Sequence, residues 1–165
     1  MCMMSIIEVL RLHHWIKNLL IFLPFIASQQ EFSEKILFNL ILGFLSFGLL
    51  ASATYILNDI LDLKNDKKHI TKKFRPLTSG KISIQTGFLM IALLIIIIFF
   101  ISNKFEGNNF LFYLIAYLGL SLFYSLYLKK IVLLDCFLLS ILYTIRIFAG
   151  GELVNIIPSF WLITF

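Results

Sequence analysis

The chain has 165 residues, of which 60% are hydrophobic and only 14% are charged. Its mean hydropathy of +0.96 excludes an ordinary soluble globular domain, in which about a quarter of the residues are charged. The formal net charge of +5 is informative through its distribution along the chain rather than as a total. The composition therefore predicts an integral membrane protein.

The amino-terminal segment reads as an entry into the membrane interface, followed by a first helix near Trp15 to Ser28 that Pro24 interrupts. A cleavable signal peptide is the alternative interpretation, because a basic region precedes about ten apolar residues and small residues follow them. Lys17 and Asn18 lie side by side at the head of this segment. Facing lipid would be costly for such a pair, so we expect both side chains to face a cavity.

Four longer apolar segments approach or exceed the roughly 20 residues that a helix needs to span a bilayer. They are Ile36 to Leu57, Ile84 to Ser102, Phe110 to Leu128 and Ile131 to Ala149. None shows the alternating pattern of a membrane strand, so helices are favoured. We expect an all-α transmembrane bundle that forms one domain over residues 1–165. From Ile157 another apolar run begins, and the chain is expected to stop inside a sixth helix.

The basic residues indicate how the helices are oriented. With a cytoplasmic amino terminus, eleven cations fall on the inside and two on the outside, with Arg146 left inside a helix. The inside set is Arg11, Lys17, Lys64, Lys67, Lys68, Lys72, Lys73, Arg75, Lys81, Lys129 and Lys130, and the outside set is Lys35 and Lys104. This positive-inside bias predicts that the amino terminus faces the cytoplasm and that the protein lies in a plasma membrane.

The most informative stretch begins at the end of the second apolar segment, where Asn58, Asp59, Asp62 and Asp66 follow one another closely. If the helix continues through Asp66, the three aspartates share one face, since steps of three and four residues return to the same side. Unpaired carboxylates there would repel each other by roughly 1 kcal/mol per close pair even in water. A cation is therefore expected, and clustered carboxylate and amide oxygens suit Mg²⁺, which is usually shared with substrate phosphates.

The acidic stretch continues into a basic loop, and together they form a segment over residues 58–81. The loop offers donors for a diphosphate whose metal the carboxylates would hold. Pro76 and Gly80 predict an ordered turn in it. A topology signal or a contact with anionic lipid is the commoner use of such basic residues and stays open as the alternative.

Asp135 and Arg146 are ionisable residues inside the fifth apolar segment. Eleven residues separate them, about 16 Å along a helix axis, so they cannot form a salt bridge with each other. Ionisable residues at such positions generally face the interior of a bundle, and each is expected to line a cavity. Lys129 belongs to an aromatic and basic border that runs from Tyr124 to Lys130. An interfacial belt explains this border as well as a role in substrate binding does.

The pattern Asn58-Asp59-x-x-Asp62-x-x-x-Asp66, followed by Arg75-Pro76, closely resembles the first aspartate-rich motif of the UbiA prenyltransferase superfamily. The stretch from Leu12 to Asn18 and the pattern Arg146-x-x-Ala149-Gly150-Gly151 resemble the branch that contains the decaprenyl-phosphate phosphoribosyltransferases. The resemblance covers nearly the whole chain from about residue 11.

The resemblance implies a role for each matching residue. Asn58, Asp59, Asp62 and Asp66 would bind Mg²⁺ and the donor diphosphate, with Asp59 and Asp62 as the catalytic pair. Lys17, Asn18, Lys73 and Arg75 would contact phosphate, and Lys129, Asp135 and Arg146 would contact donor or acceptor. The donor of that branch is phosphoribosyl diphosphate, the acceptor is a polyprenyl (decaprenyl) phosphate, and the product supplies cell wall biosynthesis.

Two alternatives remain at this point. One is transfer of a polyprenyl chain from its diphosphate to an aromatic acceptor, which the prenyl-transferring members of the superfamily perform with a second acidic motif. Such a motif would lie beyond the point where this chain ends. The other is a non-catalytic membrane subunit or remnant. The lipid bilayer is the expected partner in every case, no nucleic acid partner is expected, and the oligomeric state is open.

Overall fold

The computed structural model describes residues 3–105, 109–128 and 132–159, and every regular element in these ranges is helical. The first half contains α1 (Met3–Leu10), a 3-10 helix (Leu12–Phe22), α2 (Leu23–Ser28), α3 (Glu34–Leu61) and α4 (Leu63–Asp66). After a 3-10 turn at Lys72–Phe74 come α5 (Ile84–Ser102), α6 (Asn109–Phe123), a π-helical turn (Tyr124–Leu128) and α7 (Val132–Leu153). The predicted all-α fold is confirmed.

Four helical stretches in the described residues are long and apolar enough to cross a membrane, as predicted. They are Glu34–Leu61, Ile84–Ser102, Asn109–Leu126 and Cys136–Leu153. α3 is central, because it packs against α5, α6, α7 and the 3-10 helix. The protein is thus a multi-pass membrane bundle whose middle helix carries the acidic motif at its carboxyl end.

The predicted first helix takes a different form from an ordinary span. It is a 3-10 helix of 11 residues, followed by the six residues of α2. Pro24 lies in the first turn of α2. A 3-10 helix has three residues per turn, so residues three apart lie in one row. Trp15, Asn18 and Ile21 form such a row, and Asn18 and Ile21 are fully buried. This row faces the bundle.

Two glycines let the 3-10 helix approach its neighbours closely. A Cβ at Gly48 of α3 would lie 2.6 Å from Cδ2 of Trp15, and a Cβ at Gly150 of α7 would collide with the carbonyl oxygen of Ile21. The second clash involves backbone, which cannot move aside as a side chain can. The 3-10 helix is therefore fixed between α3 and α7, and the side chain of Asn18 points into the bundle.

The bundle centre is filled by aromatic residues of α3 and α6. Phe47 is fully buried and meets the rings of Phe110 and Tyr117 edge-on, at centroid distances of 6.0 Å and 5.4 Å. Edge-to-face pairs at these distances are a favoured aromatic geometry. They hold α6 against α3, which places Tyr117 beside the functional site described below.

Candidate functional site at the carboxyl end of α3

The acidic motif does not lie on one uninterrupted helix. α3 ends at Leu61, Asp62 adopts φ −88° and ψ 2°, and α4 begins at Leu63. The expected continuous helix through Asp66 is therefore wrong, although the amides of Asp62 and Asp66 still bond to the carbonyls of Asn58 and Asp62 at 2.9 Å.

Two arginines supply the cations that the carboxylates require. Nη1 of Arg75 donates to Oδ1 of Asp59 at 3.0 Å and to Oδ2 of Asp66 at 2.6 Å. Nη2 of Arg11 donates to both carboxylate oxygens of Asp59, at 2.6 Å and 2.9 Å. We call these four residues the Arg–Asp cluster. Asp59 and Asp66 are each only 2% exposed, so their charges depend on these partners.

The basic loop positions Arg75 through a compact turn. The carbonyls of Arg75 and Pro76 accept from the amides of Ser79 and Ile82, and Gly80 provides the turn with a φ of 77°. Leu77 and Ile82 are buried in a second apolar core with residues of α1, α3 and α5. The ordered turn that Pro76 and Gly80 predicted is confirmed, and it holds the guanidinium over the motif.

Arg11 contacts the motif from the amino-terminal segment of the chain. It links α1 to the 3-10 helix with a φ of 51°, a left-handed conformation that is uncommon for a residue with a side chain. Its guanidinium carbon also lies 5.1 Å from the ring centroid of Tyr55, a cation–π contact. Nearby, Ser52 accepts from the indole of Trp15 and donates to the carbonyl of Leu10, which fixes this junction to α3.

His14 follows Arg11 and packs against Tyr55 at a centroid distance of 5.2 Å. Burial, followed by the positive charges of His13, Lys17 and Arg11, lowers the pKa of His14. The imidazole is therefore neutral at pH 7 and adds no further cation to the cluster.

Beside the motif lies a cavity of about 130 Å³ between the 3-10 helix, α3, α6 and α7. We call it the bundle cavity. Its wall consists of Lys17, Thr54, Tyr55, Asn58, Tyr117, Ser121, Tyr124, Ser125, Leu139, Leu142, Tyr143 and Arg146. Asn58 brings the acidic motif to this cavity, and Lys17 and Arg146 bring positive charge.

Arg146 lies at the buried side of the cavity, only 5% exposed. Its Nε donates to Oδ1 of Asn18 at 2.8 Å, Nη1 to the carbonyl of Leu142 at 2.7 Å, and Nη2 to the hydroxyl of Tyr117 at 2.9 Å. The rings of Tyr117 and Tyr143 lie 4.7 Å and 5.6 Å from its guanidinium carbon. All these partners are uncharged, and among the described residues no ion pair involves Arg146.

The expected magnesium site can be tested against this geometry. Within the described ranges, no three His, Cys, Asp or Glu side chains converge on a point that could hold a metal. The carboxylate oxygens of Asp59 and Asp66 bind the guanidinium groups of Arg11 and Arg75. Asn58 lies in the cavity wall and Asp62 follows one helical turn later, so this stretch has an amide and a carboxylate among its oxygen donors. This donor set fits a hard divalent ion that is shared with substrate phosphates.

The other predicted site residues are distributed unevenly. Lys17 and Arg146 line the bundle cavity and Asn18 contacts Arg146, whereas Lys73 is exposed and lies over the ring of Phe74 at 5.0 Å. Its neighbour Lys72 approaches Asp66 instead, at 4.0 Å. Lys129 lies outside the described residues, and so does the side chain of Asp135.

Sequence reasoning missed three contributions. Arg11 was noted only as a topological charge, yet it binds Asp59 directly. Tyr117 and Tyr143 were not singled out, although both line the cavity around Arg146. Their sequence signal is weak, because tyrosines in membrane helices also occur as interfacial anchors.

Comparison with known proteins supports the resemblance. The model of the UbiA prenyltransferase family matches residues 19–165. The chain belongs to this family. The match includes the acidic motif, the basic loop and all four candidate membrane spans.

Curated relatives include the protein y4nM of Sinorhizobium fredii, 40% identical over 94% of this chain and 30% of that protein. The nodulation protein NoeC of Azorhizobium caulinodans is 35% identical, over 96% of this chain and 52% of NoeC. The decaprenyl-phosphate phosphoribosyltransferase of Mycobacterium tuberculosis is 27% identical, over 95% of this chain and 53% of the enzyme. The chain thus spans about half the length of these relatives or less.

A solved structure described as a digeranylgeranylglyceryl phosphate synthase has the same fold. It superposes with a TM-score of 0.73 at 21% identity, over 90% of this chain and 52% of that one. The UbiA-type architecture of the bundle is therefore shown by structure as well as by sequence.

Proposed function

We propose that this UbiA-family chain forms part of a Mg²⁺-dependent transferase that moves the 5-phosphoribosyl group of phosphoribosyl diphosphate onto a polyprenyl phosphate. The observation that carries the proposal is the bundle cavity, in which Asn58 of the acidic motif shares one wall with Lys17 and Arg146. An oxygen donor for a metal and two cations around one cavity are suited to a polyphosphate substrate.

In the proposed reaction, the bond between the anomeric carbon and diphosphate breaks and its electron pair leaves with diphosphate. An oxygen of the polyprenyl phosphate then bonds to the anomeric carbon. A bound Mg²⁺ would neutralise the leaving diphosphate, with Asn58 and Asp62 as the residues that hold it. Lys17 would add positive charge to the cavity, so electrostatic stabilisation supplies most of the catalysis and no protein nucleophile is needed.

The Arg–Asp cluster has a supporting role in this proposal. Asp59 and Asp66 were expected as metal ligands, and that assignment stays a prediction. In the geometry at hand their oxygens bind Arg11 and Arg75. We assign the cluster the task of fixing the end of α3, so that Asn58 keeps its place in the cavity wall.

The orientation of the protein follows from its charges. We place the amino terminus and the 58–81 segment in the cytoplasm of a plasma-membrane protein, because most lysines and arginines flank the helix ends on that side. The water-soluble donor would then approach the motif from the cytoplasm, and the lipid-linked acceptor from the bilayer.

A second candidate is transfer of a polyprenyl chain to an aromatic acceptor. The tyrosines of the cavity wall, Tyr55, Tyr117, Tyr124 and Tyr143, favour it. Aromatic faces stabilise cations, and departure of diphosphate from an allylic carbon develops positive charge.

Product formation distinguishes the two candidates. The protein in its native membrane is given Mg²⁺ with either phosphoribosyl diphosphate and decaprenyl phosphate, or polyprenyl diphosphate and 4-hydroxybenzoate. We expect a phosphoribosylated lipid, detected by mass spectrometry, only from the first pair and only without EDTA. A prenylated aromatic product with no phosphoribosylated lipid would contradict the proposal and establish the second candidate.

A further inference from the structure

Another cavity, of about 100 Å³, lies at the end of the bundle opposite the acidic motif. We call it the distal pocket, and its wall includes Lys35, Asn39, Lys104, Phe110, Glu152 and Asn155. Lys35 lies at the start of α3, and about 35 Å of helix separates it from Asn58 at 1.5 Å per residue. The distal pocket is therefore separate from the bundle cavity.

The distal pocket lies where the four candidate membrane spans end. Its residues flank the amino-terminal ends of α3 and α6 and the carboxyl-terminal ends of α5 and α7. Helices that cross a bilayer end near its headgroup region, so the pocket lies at the depth of the lipid headgroups. Its two lysines, Lys35 and Lys104, are the same two that the positive-inside pattern leaves on this side.

A carboxylate accompanies the two lysines. Oε1 of Glu152 accepts a hydrogen bond from Nδ2 of Asn109 at 2.8 Å, which ties the end of α7 to the start of α6. α7 then ends in a turn in which the amide of Asn155 donates to the carbonyl of Glu152 at 3.2 Å. A carboxylate has about four acceptor sites, so Glu152 can also accept hydrogen bonds from a ligand.

Apolar side chains complete the pocket and continue deeper along the same helices. The rings of Phe105 and Phe110 pack at a centroid distance of 4.6 Å, and Phe110 is only 2% exposed. Deeper in the membrane, α3, α5 and α6 form a groove whose α6 side begins at Leu111, directly after Phe110. Among the described residues, its wall consists only of leucine, isoleucine and phenylalanine. A polar pocket at headgroup depth and an apolar groove below that depth match the two parts of a phospholipid.

We propose that the distal pocket binds the headgroup of phosphatidylethanolamine, in the leaflet opposite the acidic motif. The phosphate binds Lys35 and Lys104, and the primary ammonium donates to Glu152. One acyl chain lies in the apolar groove, where burial of apolar surface adds to the affinity. Phosphatidylglycerol offers no ammonium to Glu152, and the quaternary ammonium of phosphatidylcholine has no N–H to donate. This lipid site is independent of the proposed transfer reaction.

Lipid binding to the delipidated protein in detergent tests the proposal, with native mass spectrometry as the measurement. The probes are short-chain phosphatidylethanolamine, phosphatidylcholine and phosphatidylglycerol, together with glycerophosphoethanolamine, which has the headgroup and no acyl chains. We expect phosphatidylethanolamine to bind the wild-type protein about tenfold more tightly than each of the other three probes.

Two variants remove the charges of the pocket one at a time. Glu152→Gln keeps an acceptor for Asn109 and loses the carboxylate charge, so the preference for phosphatidylethanolamine over phosphatidylcholine should disappear. Lys104→Gln, at an exposed position, should weaken both lipids alike by about fivefold, because both carry the phosphate. The matched controls are Glu31→Gln, an exposed carboxylate at the same end of the bundle, and Lys68→Gln, an exposed lysine at the other end. Neither control should change the affinities.

The outcomes separate the possible occupants of the pocket. Loss of the preference in Glu152→Gln, with equal weakening of both lipids in Lys104→Gln, supports the site. Phosphatidylglycerol that binds as tightly as phosphatidylethanolamine would assign the pocket to anionic lipid and overturn the proposal. Equal binding of glycerophosphoethanolamine would assign it to a soluble ligand and overturn the proposal as well. So would affinities within about twofold of wild type in both variants. Failure of the product assay would contradict the proposed function and leave these results unchanged.

Discussion

Replacement of Asp62 by Asn is expected to reduce product formation in the native-membrane assay by about 10²- to 10³-fold. Asp62 lies one helical turn after Asn58, which lines the bundle cavity, and we propose it as the charged ligand of the metal. Loss of one preorganised electrostatic contact to a transition state typically costs a factor of this size. Asparagine keeps the shape of the side chain, so the fold at the junction of α3 and α4 is preserved.

The matched control for this variant is Glu31→Gln, which removes the same charge at an exposed position before α3. Its rate is expected to equal that of wild type. An Asp62→Asn protein that forms product within threefold of the wild-type rate would show that Asp62 does not hold the metal.

Replacement of Asp59 by Asn is expected to destabilise the protein by about 3 kcal/mol, because it leaves Arg11 and Arg75 without their shared buried carboxylate. Asp59 is the residue that both guanidinium groups contact. Its loss should release the amino-terminal segment and the basic loop together. The measurement is the midpoint of thermal unfolding in detergent, combined with the rate of trypsin cleavage after the lysines of residues 67–81.

Glu8→Gln is the matched control, since Glu8 is an exposed carboxylate of α1, and its midpoint should not change. A different result would reassign Asp59. If Asp59→Asn kept wild-type stability and protease resistance but lost metal binding, Asp59 would be a metal ligand, as the sequence motif alone suggests.

The membrane spans and the need for cations beside the motif were predictable, because both depend on local sequence. Apolar length determines a span, and closely spaced carboxylates repel wherever they occur. Arg75 was accessible for the same reason, since it follows Asp66 by nine residues in a loop with turn-forming residues. The approach of Lys72 to Asp66 was not predictable, because it depends on the 3-10 turn at Lys72–Phe74.

The distant contacts could not be read from the sequence. Arg11 and Asp59 are 48 residues apart, and Asn18 and Arg146 are 128 apart, so each pair depends on how the 3-10 helix packs in the bundle. The row of Trp15, Asn18 and Ile21 appears only with three residues per turn. An α-helical pattern, with 3.6 residues per turn, places these side chains progressively farther around the helix.

The central claim is that the carboxyl end of α3 binds a divalent ion at the bundle cavity. Manganese binding tests this claim most directly. Mn²⁺ stands in for Mg²⁺ and can be counted by electron paramagnetic resonance, with diphosphate added as the substrate group. We predict that diphosphate promotes tight binding of Mn²⁺ to the wild-type protein, and that Asn58→Ala and Asp62→Asn each weaken this binding at least tenfold while Glu31→Gln does not. Equal binding of Mn²⁺ by wild type and both motif variants, or no binding by any of them, would contradict the account.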